Sequence, residues 1–123
     1  MKESAENYLE TILILKKNLQ NVRSIDIVKS TGFSKPSISI AMKKVKDSGY
    51  IDIDNNGYIT LTKEGNTQAK NIYERHTVLL KVLQSFGISA KIAEEDACKI
   101  EHIISDETAK KLKIYADSLI EKE

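Results

Sequence analysis

Two of the three histidine and cysteine side chains in this sequence lie within five residues, in Cys98-Lys99-Ile100-Glu101-His102. On a helix, positions i, i+3 and i+4 share a face, so Cys98, Glu101 and His102 would present a thiolate, a carboxylate and an imidazole to one point. That donor set suits a divalent metal. A core cysteine, a solvated glutamate and a helical histidine falling together by chance would give the same spacing. The other histidine, His76, follows Glu74 and Arg75 within a long helical stretch and, taken alone, reads as a packed or surface residue. Asn7 and Glu10 share a face near the start, and Glu10 interrupts an apolar run, so its carboxylate is either half-solvated or paired with a cation. No further histidine or carboxylate motif resembles a catalytic acid/base pair, which argues against an enzyme and against a small-molecule substrate.

The elements that must position these groups read as mostly helical. Tyr8, Leu9, Ile12, Leu13 and Leu15 recur at helical spacing from Ser4, the expected cap, to about Asn18. Ser24 is placed to cap a short second helix carrying Ile25, Ile27 and Val28, with Thr31-Gly32 as its end. Ser34 and Pro36 announce a third helix to about Asp47, whose Ile38, Met42 and Val45 can pack inward. Residues 51–54 and 58–61 alternate with period two around the turn Asn55-Asn56-Gly57, which predicts a two-stranded hairpin. Helix, turn, helix and hairpin together describe a winged helix. Thr62 can cap a long helix to about Phe86, ended by Gly87. Two more helices are expected, one from about Ser89 to Ile104 and one opening at Ser105 with Asp106 and Glu107 in its first turn.

Charge is strongly partitioned. The 123 residues carry a formal net charge of +1, yet residues 16–48 hold eight Lys and Arg against two Asp and Glu, while residues 87–123 hold six against nine. A basic block confined to the helix-turn-helix segment is the electrostatic footprint of a polyanion partner, because phosphate neutralisation needs local charge; a merely solvated lysine-rich face is the alternative. On double-stranded DNA, the N–H groups opening the third helix with Ser34, Ser37 and Ser39 suit phosphate and base-edge contacts. Lys35, Lys43, Lys44 and Arg23 suit phosphates, and Asn55, Asn56 and Tyr58 could reach flanking backbone from the wing. A lone cysteine forms no internal disulfide, no apolar run approaches the roughly 18 residues of a membrane span, and MKESAENYLE has no signal-peptide core, so a cytoplasmic location is expected.

Six separated segments carry a family likeness: Ser4-Ala5-Glu6-Asn7-Tyr8-Leu9-Glu10-Thr11-Ile12, Arg23-Ser24-Ile25-Asp26-Ile27-Val28, Ser34-Lys35-Pro36-Ser37, the stretch from Ile59 to Gly65, Glu74-Arg75-His76, and the stretch from Ala97 to Glu107. In this order, over nearly the whole chain, the sequence resembles the diphtheria toxin repressor family of metal-dependent transcriptional repressors. In length it is similar to the manganese transport regulator branch, without the SH3-like domain of longer members.

The resemblance implies a mainly α protein: a winged-helix DNA-binding domain over residues 1–64, including the turn around Pro36, joined by the long helix to an all-helical metal-binding and dimerisation domain over 65–123. It implies a homodimer on a DNA operator, with a divalent metal as co-repressor held by Asn7, Glu10, His76, Cys98, Glu101 and His102. Two positions depart from the manganese branch. The residue equivalent to Asn7 is Asp there and Met in the iron branch, and Asn offers only a neutral carbonyl oxygen. Cys98 is Glu in the manganese branch and Cys in the iron branch, and a thiolate favours softer ions. The ligands therefore point to Fe(II) first and Mn(II) next, with Zn(II), Co(II) or Ni(II) binding in vitro. An acidic position one turn after the histidine is Leu80 here, which removes a ligand from any second site. A winged-helix regulator that binds DNA without sensing metal is the alternative reading.

Overall fold

The computed structural model describes residues 3–121. Its elements are α1 (Glu3–Asn18), α2 (Ser24–Thr31), α3 (Lys35–Asp47), β1 (Ile51–Ile53), β2 (Ile59–Leu61), α4 (Lys63–Ser85), α5 (Ala90–Ile100) and α6 (Asp106–Glu121). Residues 1–70 and 71–123 form two compact units, with the start of α4 in the first and its remainder in the second.

In the first unit the apolar spacing of each element converges on one core. Leu9 and Ile12 of α1, Ile27 of α2, Ile38 and Met42 of α3, and Ile51 and Ile59 of the strands are all buried. Each such aliphatic side chain contributes about 1.5–3 kcal/mol relative to exposure. Ser4 lies inside α1 rather than at its cap, because the helix already runs from Glu3. The cap of α2 is Arg23, not Ser24: the Asp26 carboxylate reaches back to accept from the Arg23 N–H at 2.8 Å. An acidic residue at the third helical position thereby does for the first turn what Ser24 was expected to do. Gly32 ends α2 with φ 78°, a backbone region that glycine enters without strain, and donates its N–H to Val28 C=O at 2.8 Å. Two residues later Ser34 caps α3, accepting from the Ser37 N–H at 3.3 Å, with Pro36 in the first turn.

The strands pair antiparallel with Ile51 opposite Leu61, Asp52 opposite Thr60 and Ile53 opposite Ile59. Asp54 organises the hairpin turn: its carboxylate accepts from the N–H groups of Asn56 and Tyr58, each at 2.9 Å. Ile59 also donates to Val22 C=O at 2.7 Å, tying the wing to the segment before α2. The result is a winged helix-turn-helix, as the pattern of residues predicts. Thr62 caps α4, accepting from the Gly65 N–H at 3.1 Å while donating to Gly49 C=O at 2.7 Å. Gly65 is buried against Tyr50, where a side chain would press into the Tyr50 backbone carbonyl.

The second unit is helical. Ile72, Leu79 and Val82 of α4, Ala93 and Ala97 of α5, and Ala116 of α6 are its buried apolar residues. Ser89 caps α5 and Ser105 caps α6, accepting from the N–H groups of Ile92 at 3.4 Å and Thr108 at 3.1 Å. The expected helix from Ser89 to Ile104 is shorter: α5 stops at Ile100, and His102 lies in the following turn. Among the described residues, no helix is long and apolar enough to cross a membrane.

Candidate metal centre and nucleic-acid interface

α5 ends at Ile100, so His102 lies in the turn beyond it, and Cys98 and Glu101 both approach a hub on another helix. The hub is His76, midway along α4. Its Nδ1 lies 2.9 Å from Glu101 Oε2, and its Nε2 lies 3.0 Å from the Glu94 carboxylate. Cys98 Sγ approaches His76 Nδ1 at 3.9 Å and Glu94 Oε1 at 4.0 Å. Ligand atoms of His76, Glu94 and Cys98 all lie within 4.8 Å of one another.

Burial graded across this cluster sets its electrostatics. The Glu101 side chain is fully buried, that of His76 is 13% exposed and that of Glu94 is 53% exposed. A buried carboxylate beside an imidazole favours the protonated ring, so His76 is raised from 6.5 to about 9. The hydrogen bond to Glu101 is the main cause; burial opposes it, and the negative charges of Glu101 and Glu94 add to it. Without metal, His76 is therefore an imidazolium held between two carboxylates. His102, with its side chain 1% exposed, brings Nε2 to 3.3 Å from Glu101 Oε1, outside hydrogen-bond geometry. Glu101 Oε1 is thus a buried carboxylate oxygen with no hydrogen-bond partner among the described residues. Such an atom costs free energy unless a cation satisfies it.

Arg75, the residue before the hub, binds the segment that follows α5. Its guanidinium donates to the carbonyls of Glu101 at 3.3 Å and Ile104 at 3.0 Å, and pairs with Asp106 at the start of α6. These bonds satisfy carbonyls at the C-cap of α5 and in the turn that follows it, which have no helical partner. Glu94 and Arg75 are the residues that the sequence reading assigned no role. For Glu94 a signal existed, since it stands one turn before Cys98 on the same helix.

In the first unit, Glu10 is buried on α1, which sets aside a half-solvated carboxylate, and Asn7 is exposed on the same helix. The residues expected on DNA are at the surface: Lys35, Pro36, Ser37, Ser39, Lys43 and Lys44 along α3, with Ser34 at its cap and Asn55 and Asn56 at the hairpin tip. Arg23 lies over the Tyr58 ring at 4.7 Å from its centroid, so two candidates from separate elements form one cation–π pair at the base of the wing.

Comparison with known proteins fits this division. The profile described as the iron dependent repressor N-terminal DNA binding domain matches residues 1–59, and that of the iron dependent repressor metal binding and dimerisation domain matches residues 62–120. The chain belongs to this family of metal-dependent transcriptional repressors. It is 33% identical to an uncharacterised helix-turn-helix-type transcriptional regulator of Methanocaldococcus jannaschii, over 99% of both chains. It is 29% identical to the transcriptional regulator MntR of Escherichia coli over 93% of this chain and 74% of that protein. The diphtheria toxin repressor of Corynebacterium diphtheriae is 23% identical over 89% of this chain and 49% of its own length. A manganese-dependent transcriptional repressor solved with manganese shares the fold, with a TM-score of 0.82 at 23% identity over 92% of this chain and 52% of that one. The manganese regulator SloR is similar, with a TM-score of 0.81 at 24% identity. The chain spans about half the length of these two solved repressors.

The donor set fits the metal that the family implies. Imidazole, carboxylate and thiolate groups gather at His76, and the buried Oε1 of Glu101 has no hydrogen-bond partner among the described residues. Thiolate and imidazole together suit first-row transition ions rather than Mg or Ca.

Proposed function

We propose that this protein is a cytoplasmic, homodimeric repressor, without catalytic activity, whose binding to a double-stranded DNA operator depends on a divalent metal. The observation that carries the proposal is the buried Glu101 carboxylate, whose Oε2 bonds His76 while its Oε1 has no hydrogen-bond partner among the described residues, within the same chain as an exposed basic third helix. We assign DNA binding to residues 1–64 and metal binding and dimerisation to 65–123. His76, Cys98, Glu101 and His102 are the proposed ligands, joined by Glu94 on geometry; Asn7 and Glu10 enter on the family resemblance. When bound, the cation supplies the positive charge that His76 supplies as an imidazolium in the metal-free protein. The ion would be held by His76 as a neutral imidazole, by Cys98 as a thiolate and by the Glu101 carboxylate, so holding it would require His76 to release its proton. Cys98 favours Fe(II), with Mn(II) next and Zn(II), Co(II) or Ni(II) effective in vitro.

The DNA contacts are assigned to Arg23, Ser34, Lys35, Pro36, Ser37, Ser39, Lys43, Lys44, Asn55, Asn56 and Tyr58. Their exposure along α3 and at the wing supports them. The test is fluorescence anisotropy of a labelled duplex from the protein's own upstream region, under anaerobic conditions, in chelator, Fe(II), Mn(II) or Zn(II). Affinity is expected only with metal and lost in Glu101→Ala. Equal affinity in chelator would favour the metal-independent regulator, in which the imidazolium and carboxylates of the second unit hold themselves without an ion.

A further inference from the structure

The inward face of α3 is apolar, with Ile38, Met42 and Val45 no more than 4% exposed. Its outward face is polar and basic except at Pro36 in the first turn and at Ile40. Ile40 is 59% exposed, with Pro36 and Ser37 one turn before it and Lys43 and Lys44 one turn after it. A scattered surface isoleucine needs no explanation, but this one sits on the exposed side of a helix that carries Lys35, Lys43, Lys44 and Lys46 within a segment of eight basic against two acidic residues, the charge a polyanion calls for.

Charge complementarity decides what covers that face. Lysines at i+3 and i+4 from Ile40 are long enough to reach phosphates, leaving the shorter branched side chain between them directed at base edges. Ile40 has no group that can donate or accept a hydrogen bond. The major groove presents donors and acceptors at every base pair, and its one apolar feature is the C5-methyl group of thymine. A branched aliphatic side chain gains by packing on that methyl group and loses by covering a polar edge.

We propose that Ile40 is a specificity-determining residue that reads the C5-methyl of thymine in each half of the operator. The proposal rests on the DNA-binding reading above and adds the base that the third helix selects. Its role differs from that of Lys43 or Lys44, whose phosphate contacts hold the protein to any sequence.

The experiment selects duplexes from a randomised library with the wild-type protein, in parallel arms with Mn(II) and with chelator. Each thymine of the enriched duplex is then replaced singly by uracil, which removes only the methyl group. At one thymine per half-site, uracil is expected to weaken wild-type binding about fourfold. Cytosine and 5-methylcytosine placed there should differ by a similar factor, in favour of the methylated base. Ile40→Ala should bind thymine and uracil duplexes equally, whereas Lys43→Ala should weaken both and keep their ratio. The exposed position of Ile40 leaves the fold intact, which circular dichroism of the variant checks. An unchanged thymine-to-uracil ratio in Ile40→Ala would overturn the proposal, as would an enriched duplex with no methyl-sensitive position. Failure to enrich any duplex in either arm would overturn the DNA-binding reading with it. Enrichment in chelator alone would overturn metal dependence and leave the role of Ile40 to the uracil result.

Discussion

Raising the pH should destabilise the metal-free protein through a single ring. His76 is raised from 6.5 to about 9 by Glu101 and Glu94, so the folded state binds its proton more tightly than the unfolded state. A group shifted upward contributes stability in full below about pH 6.5, and that contribution is lost as the pH climbs toward 9. At about 1.36 kcal/mol per pH unit the ceiling is about 3 kcal/mol. Solvent reaches the ring and more than half of the Glu94 side chain, so a contribution of about 1–2 kcal/mol is expected. The assay is urea denaturation in chelator at fixed protein concentration, near pH 6 and near pH 9.5. Other groups titrate over that range, and the comparison with Glu101→Gln isolates His76: the variant loses the chief cause of the shift while burial still opposes the charge. Its stability should change less with pH than that of the wild type, by about 1–2 kcal/mol. Equal pH dependence in the two proteins would refute the imidazolium between two carboxylates. Metal binding carries the opposite sign, because ligation releases the proton, and apparent metal affinity should rise through the same window.

Arg75→Ala, which leaves the carbonyls of Glu101 and Ile104 without their donor and Asp106 without its partner, should cost about 2–3 kcal/mol by chemical denaturation. Arg75→Lys should recover only part of this, since an ammonium cannot span two carbonyls and a carboxylate as a guanidinium does. Gly65→Ala would place a methyl group within 2.8 Å of the Tyr50 carbonyl carbon, forcing the start of α4 away from the turn after α3. A loss of about 2–4 kcal/mol in unfolding free energy is expected, and an unchanged melting temperature would contradict the close approach. Lys43→Ala should weaken binding to all duplexes and reduce the slope of log affinity against log salt by about 1; an unchanged slope would remove Lys43 from the phosphate contacts.

Much of the fold was legible because its signals are local. Caps at Ser34, Thr62, Ser89 and Ser105 depend on a hydroxyl and an N–H two or three residues away, and all four form. The hairpin around Asn55-Asn56-Gly57 and the alternation beside it fixed the strands in the same way. Ser24 failed as a cap because Asp26 competes for the same first turn, and the sequence contains both signals without ranking them. The end of α5 was illegible for a deeper reason. No Gly or Pro stands between Cys98 and Ile104, and the carbonyls there are claimed by Arg75, 26 and 29 residues earlier in the chain. The candidate centre shows the same division. His76, Cys98, Glu101 and His102 are residue types that announce themselves, but their grouping depends on how α4 meets α5: Glu94, one turn before Cys98, is joined to His76 by a contact spanning 18 residues.

The most direct measurement titrates Co(II) into anaerobic protein mixed with a labelled duplex, reading the near-ultraviolet thiolate-to-cobalt absorption and the fluorescence anisotropy in the same cuvette. The two signals should rise together and saturate at the same metal concentration. Cys98→Ser should lose the absorption, and Glu101→Ala should lose both. Anisotropy that is already maximal before any Co(II) is added, or absorption that saturates while anisotropy stays flat, would contradict a metal centre at His76 that governs DNA binding.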